Sequence, residues 1–223
     1  MAPIFVILLI VALGALGVYL WRQEQARLEA LRRWVRSRGW SLDRDRSKGW
    51  EKRFPGLKIF GKGHTRHGRN VITGEIDGRP VTLLDYQYTT GHGKNRHTHR
   101  IGIVLLTCDF PVIPLWIRRE HAFDKVGEFL GSDDIDFESA EFSRRFYVKS
   151  SDRKWAYDVI HARTMEYLLR APKVEIEFGF GEIAVLRRGF CNPDRYEALL
   201  EVAHTLYGLI PDYVVQQMKG AKS

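Results

Sequence analysis

PIFVILLIVALGALGVYLW, residues 3–21, is an unbroken apolar run, and RQEQARLEALRRWVRSR, residues 22–38, follows it at once with six arginines. As a helix, Ile4 to Trp21 would extend about 27 Å at about 1.5 Å per residue, close to the hydrocarbon thickness of a bilayer. No ionisable side chain interrupts the run, so no charge need enter lipid. Pro3 stands at its start, where a missing N–H costs nothing. Tyr19 and Trp21 close it, where amphipathic rings favour the headgroup level. A secretory signal would carry Lys or Arg ahead of a shorter apolar core and a small-x-small cleavage site behind it. Residues 1–21 show neither feature and are expected to remain as a membrane anchor.

Flanking cations set the expected orientation. Ahead of the run stands only the α-amino group, while behind it the six arginines outnumber Glu24 and Glu29. The positive-inside bias therefore places the N-terminus outside and the domain in the cytoplasm, on a single-pass protein of the inner membrane. Cys108 and Cys191 lie far apart in apolar stretches, without the spacing of a disulfide framework, and read as small buried hydrophobes.

With 44% hydrophobic and 12% aromatic residues, the remainder of the chain can build an interior and is not a disordered segment. The net charge of +8 is unevenly spread. Residues 22–100 hold 19 Lys/Arg against 8 Asp/Glu, whereas residues 101–223 hold 16 against 19. The basic half is the half next to the anchor. Arg22, Arg27, Arg32, Arg33 and Arg36 are thus the expected anionic-lipid surface, each worth about 1 kcal/mol near such a leaflet. The bilayer is the first expected partner, a protein the second. Nucleic acid is not expected, since residues 43–70 combine basic groups with Trp50, Phe54 and Phe60 but match no helix-turn-helix, zinc-finger or RNP pattern.

The expected fold class is α+β: a transmembrane helix, then an antiparallel-sheet domain with packed helices. Residues 22–39 read as a basic amphipathic helix continuing the anchor, with Leu28, Leu31 and Val35 as its apolar stripe and Gly39 as its stop. A β-rich part is expected over residues 40–131, an α+β part over 132–217, and a frayed polar tail over 218–223. Asp77-Gly78 between two β-rich runs predicts a hairpin, and His99 to Thr107 a further strand. Pro111 and Pro114 mark Val112–Ile117 as an edge or irregular strand. Ala122 to Leu130 reads as a helix and Ser132 to Asp136 as an acidic linker. Phe146–Lys149 reads as a strand, and Asp152 as the cap of a helix reaching about Leu169. Val174–Phe178 and Ile183–Leu186 form a hairpin around Gly179 and Gly181. A last helix opens at Asp194, with Ala198, Leu199, Val202, Leu206 and Leu209 on one face.

Chemistry is sparse along the chain. His97 and His99 are two apart and share a face on a strand; with His92 on the same connection they are the candidate metal ligands. His64 and His67 sit on an earlier Gly-rich loop. No Cys or carboxylate lies at diagnostic spacing, and neighbouring cations oppose a metal, so neither metal nor cofactor is expected. Gly61–Arg69 and Gly91–Arg96 match neither the P-loop nor the dinucleotide fingerprint and read as turns, compatible with anionic headgroups. Asp134, Asp136 and Glu138 alternate but lack the glycine and closing glutamate of a calcium loop. His161 stands among helix formers as a packing or capping residue, with no nucleophile placed beside it by motif.

Phe137-Glu138-Ser139-Ala140-Glu141-Phe142-Ser143-Arg144-Arg145-Phe146-Tyr147-Val148, with Ala156, His161, Met165-Glu166 and Leu168-Leu169 further on, resembles a family of bacterial single-pass membrane proteins that has no assigned activity. The similarity extends through Thr73-Gly74 and Asp85-Tyr86 to Thr98-His99-Arg100, and so over most of the chain. The resemblance implies an N-terminal anchor and an α+β domain, and supplies no substrate or catalytic residue. Physically, Phe137, Phe142 and Phe146 read as core anchors, and Glu141 with Arg145 as an i, i+4 pair.

These features together lead to a non-enzymatic binding or scaffolding domain, tethered to the membrane on its cytoplasmic side. The alternative is a membrane-associated enzyme, metal-dependent or acting on a phosphorylated or lipid-linked substrate through its His-rich loops. No G-x-S-x-G, zinc-protease or Cys–His signature supports it.

Overall fold

The computed structural model describes residues 2–119 and 135–220. Its first element, α1, is one helix from Ala2 to Ser37. From Phe5 to Trp21 every side chain is exposed, and the helix is long and apolar enough to cross a membrane. Strong helix formers without Gly or Pro carry it on to Ser37. Gly39, at φ 66°, then closes it: its N–H bonds the Arg36 carbonyl, and the Trp40 N–H bonds Val35.

Among the described residues eight strands form one antiparallel sheet. They are β1 (Ser41–Asp43), β2 (His64–Ile76), β3 (Arg79–Thr90), β4 (His97–Thr107), β5 (Leu115–Arg119), β6 (Phe146–Ser150), β7 (Glu175–Gly179) and β8 (Glu182–Arg188). Their order across the sheet is β1-β2-β3-β4-β8-β7-β5-β6. The fold is thus the expected α+β arrangement of a leading apolar helix and an antiparallel sheet with packed helices. Strands from either side of residue 131 share this one sheet. Asp77 and Gly78 both adopt positive φ, 48° and 73°, which gives the tight turn whose twist matches the β2–β3 ribbon.

Helices cover one face: α1, α3 (Ala140–Arg145), α4 (Arg153–Val159), α5 (Ala162–Arg170), α6 (Pro193–Leu209) and α7 (Asp212–Gly220). There Leu28, Leu31 and Val35 of α1 join Ile72, Leu83, Val104, Val185 and the inner face of α6 in one core. Phe137, Phe142 and Phe146 lie in the same core, and Glu141 pairs with Arg145 at 2.9 Å. On the other face Leu84, Tyr86, Ile103, Leu105 and Leu186 are covered by Trp50, Leu57, Ile59 and Phe60. Trp50 opens the short helix α2 (Trp50–Arg53).

Four expectations are corrected. β5 is neither edge nor irregular, because it pairs with both β6 and β7; Pro111 and Pro114 precede it and remove no ladder bond. The helix after Asp152 breaks at Ile160–His161 into α4 and α5. There Thr164 Oγ1 donates to the freed Val159 carbonyl at 2.8 Å, and His161 Nε2 is held by the Leu209 carbonyl at 2.9 Å. α6 is capped by Asn192, with Pro193 in its first turn, rather than opened by Asp194. From residue 218 the tail is helical as far as Gly220, since α7 packs Val214 and Met218 on the core. The helix expected over Ala122–Leu130, and residues 132–134 of the acidic linker, lie outside the described residues.

Candidate functional site at the anchor end of the sheet

The stretch of α1 that follows the apolar run meets the sheet at a buried carboxylate. Asp85 interrupts an apolar stretch of β3 and is fully buried. Arg27 reaches it from α1, with Nη2 donating to Oδ2 at 2.8 Å, while Nη1 donates to the Cys191 carbonyl at 2.8 Å. Asn70 Nδ2 and the Tyr196 hydroxyl complete the carboxylate's donors at 2.8 and 3.0 Å. Asn70 sits at φ 49° where β2 bulges between Arg69 and Ile72. Burial, then the neighbouring Asp85, drives the Tyr196 hydroxyl far above the usual phenol range, so it stays a donor. Glu24 accepts from the other side of Arg27 at 2.8 Å and lies 3.6 Å from Arg69. Arg27, Arg69 and Arg100 stand 5.5, 4.4 and 5.6 Å from the centroid of the Phe190 ring.

Of the arginines assigned to the lipid surface, Arg22, Arg32, Arg33 and Arg36 are exposed on α1. Arg27 is not: its side chain is 13% exposed and committed to Asp85 and Glu24. The reason is its place on the helix, one position before Leu28 and four before Leu31, on the face turned to the core.

Two contacts fix how α1 lies on the sheet. Arg27 is level with Asp85, and Val35, bonded to Trp40, is level with Gly74, whose face the Trp40 ring covers and whose partner is Val81. The eight residues from Arg27 to Val35 span about 12 Å of helix. The four from Asp85 back to Val81 span about 13 Å of strand. From Arg27 to Val35, α1 therefore runs in the opposite sense to β3. Toward the apolar run, Trp21 lies about 9 Å beyond Arg27, while Thr90 lies about 16 Å beyond Asp85. The β3–β4 hairpin thus extends from Asp85 toward the end of the sheet from which α1 leads to the apolar run. Its tip carries His92, Lys94, Arg96 and His97, all exposed.

The histidines gather at this end without converging. His64 stacks on His92 at 4.8 Å, and its Nε2 is 3.0 Å from the Gly91 carbonyl. His99 stacks on Tyr88 at 4.7 Å, and its Nε2 is 2.8 Å from Thr90 Oγ1. His67 is buried, and burial holds it below the usual imidazole range. Among the described residues no three His, Cys, Asp or Glu side chains form a metal-holding group. Cys108 and Cys191 are free and buried, their thiols pushed up by burial to about 12 and about 11, which leaves them inert at neutral pH.

Sequence reasoning missed a groove of about 720 Å³ where β4, β7 and β8 end. Lys62, Arg100, Arg119, Lys173, Arg187 and Arg188 line it, with Tyr88, Ile101 and Leu186 beneath. Among the described residues its one carboxylate is Glu175, 3.7 Å from Lys62 Nζ. The six cations come from widely separated segments, so no spacing announces them. The Asp85 cluster did leave a signal, a single acid inside the apolar stretch Val81–Tyr88.

An apolar leading helix continued into the core of an antiparallel α+β domain defines the class of this protein. No protein-family model and no curated protein matches the chain. Among solved structures it is similar to the crystal structure of the mycobacterial trehalose monomycolate transport factor A, TtfA. The TM-score is 0.59 at 15% identity, over 81% of this chain and 92% of that one, a likeness of fold.

Proposed function

We propose that this chain is a membrane-tethered, non-enzymatic domain that binds a protein partner at the cytoplasmic face of the inner membrane, in the service of lipid transport. The observation that carries the reading is α1 itself. One helix passes from a wholly exposed apolar run into the sheet's core, where Leu31 and Val35 are buried and Arg27 is fixed on Asp85. A flexible tether merely keeps a domain nearby, whereas a continuous docked helix sets its height and orientation, as a docking platform requires. Arg22, Arg32, Arg33 and Arg36 would hold the base of that helix to an anionic leaflet. The flanking arginines favour the cytoplasmic side. The likeness to a protein titled a transport factor supports lipid transport as the setting, at the level of fold.

A reporter fused after Ser223 tests the topology: fluorescence of a protein that matures only in the cytoplasm is expected, and activity of an exported phosphatase would overturn it. Crosslinkers placed at the exposed Tyr157 and Tyr213 are expected to capture one partner from intact cells. Cells depleted of the chain are expected to retain a lipid in the inner membrane that normally reaches the envelope exterior. An unchanged lipid distribution would remove the transport setting.

A further inference from the structure

We propose that the groove at the ends of β4, β7 and β8 binds the phosphate of an anionic membrane lipid headgroup, an inference that rests on the tethered reading above. Charge comes first. Lys62, Arg100, Arg119, Lys173, Arg187 and Arg188 line one groove in which Glu175 is the only described carboxylate, although residues 101–223 as a whole carry more acids than bases. Cations so concentrated repel one another, and an anion seated among them relieves that repulsion. Arginine forks and lysine ammonium groups are also the side chains that phosphate oxygens select.

The place of the groove relative to α1 points to the source of the phosphate. Arg187 pairs with Gly102, and Gly102 with Asp85, so the inner end of the groove lies level with Arg27. From there the lining rises along β4 through Ile101, Arg100 and His99 to Thr98, about 13 Å nearer the apolar run. The groove thus opens at the end of the sheet from which α1 leads to the apolar run, with about 9 Å of helix from Arg27 to Trp21. The apolar side chains of Tyr88, Ile101 and Leu186 beneath the cations suit the glycerol carbons of a lipid as water does not. The groove volume, about 720 Å³, admits a glycerophosphate group rather than a bare ion.

The test uses the full chain in nanodiscs of phosphatidylcholine, with and without phosphatidylglycerol bearing a photoactivatable headgroup. Mass spectrometry is expected to find label on Thr98–Ile101 and Leu186–Arg188 as well as on the Trp21–Arg22 turn of α1. In Lys173→Glu/Arg188→Glu, both exposed positions, groove labelling is expected to fall about tenfold or more, with the α1 label unchanged as the internal reference. Lys173→Gln/Arg188→Gln, unfolding at the wild-type temperature, is expected to show a smaller loss in the same direction. Label on α1 with none in the groove would overturn the groove and leave the tether standing. Label on neither would overturn both. Protection of the groove from hydrogen exchange by inorganic phosphate, with no lipid label, would make it a soluble-anion site and overturn the lipid assignment.

Discussion

Arg27 and Asp85, 58 residues apart, are joined by a 2.8 Å contact between a guanidinium on α1 and a carboxylate in the middle of the sheet. The pair makes the C-terminal part of α1 part of the domain's interior. Burying two charges is costly, and a well-packed apolar pair is often as stable; breaking one half is what destabilises. Geometry is the function the pair serves here, since it fixes the level at which α1 crosses the sheet.

Arg27→Ala leaves Asp85 buried with Asn70 and Tyr196 as its remaining donors. A loss of about 3–5 kcal/mol is expected in urea unfolding of the detergent-solubilised chain. Arg27→Met combined with Asp85→Asn should recover much of it, because no uncompensated charge remains. A double variant no better than Arg27→Ala would show that the ion pair is not what fails.

Gly74 faces the Trp40 ring so closely that an added Cβ would lie 2.3 Å from its carbons. Gly74→Ala must push that indole aside, and with it the turn that links α1 to β1. A destabilisation of about 1–3 kcal/mol is expected. Gly78→Ala has open space around it, and its cost comes instead from positive φ, 73°. Paired denaturation curves followed by circular dichroism measure both losses, and a displaced indole is expected to change near-ultraviolet dichroism in Gly74→Ala alone.

Much of the architecture is legible where local chemistry and tertiary fold agree. The Asp77-Gly78 turn, the Leu28–Leu31–Val35 stripe and the Gly39 stop each follow from backbone preference or side-chain period. What was hidden depends on partners remote in sequence. The α4–α5 break is held by the Leu209 carbonyl, 48 residues from His161, and β5 becomes an interior strand only because β7 returns to it. Arg27 looked like its neighbours until Asp85 was placed against it. The cationic groove joins Lys62, Arg100, Lys173 and Arg188, whose assembly only the sheet order reveals.

Leu31 and Leu8 belong to one helix and should behave as though they belonged to different proteins. Leu31 is fully buried against the sheet, whereas Leu8 lies 59% exposed in the apolar run. Leu31→Ala is expected to cost about 2–5 kcal/mol and to speed hydrogen exchange in α6. Leu8→Ala should leave exchange in the domain unchanged. Equal effects from both would mean that α1 is not docked as described.

Stability should decline from mildly acid to neutral pH because of Glu182. Burial raises its carboxyl from an ordinary 4.5 to about 7, against the hydroxyl bond from Thr107, 3.1 Å away, which favours the charged form. Between those two values the folded chain holds a proton that the unfolded chain has released, so raising the pH favours unfolding. The contribution is complete below 4.5 and gone once the pH has passed about 7. Buried Glu177 is raised for the same reason and adds to the slope. Asp109 works the other way in a separate window: held down to about 2, first by Lys219 and then by Tyr207, it contributes stability that is lost only as the pH falls from 3.8 toward that value. Glu182→Gln keeps an acceptor for Thr107 and removes the charge. It should flatten the decline between pH 5 and 7 and raise stability at pH 8 by about 1–2 kcal/mol, discounted for partial exposure. Thermal unfolding across that range checks it: a variant with the wild-type slope would place the titration elsewhere, with Glu177→Gln as the next substitution.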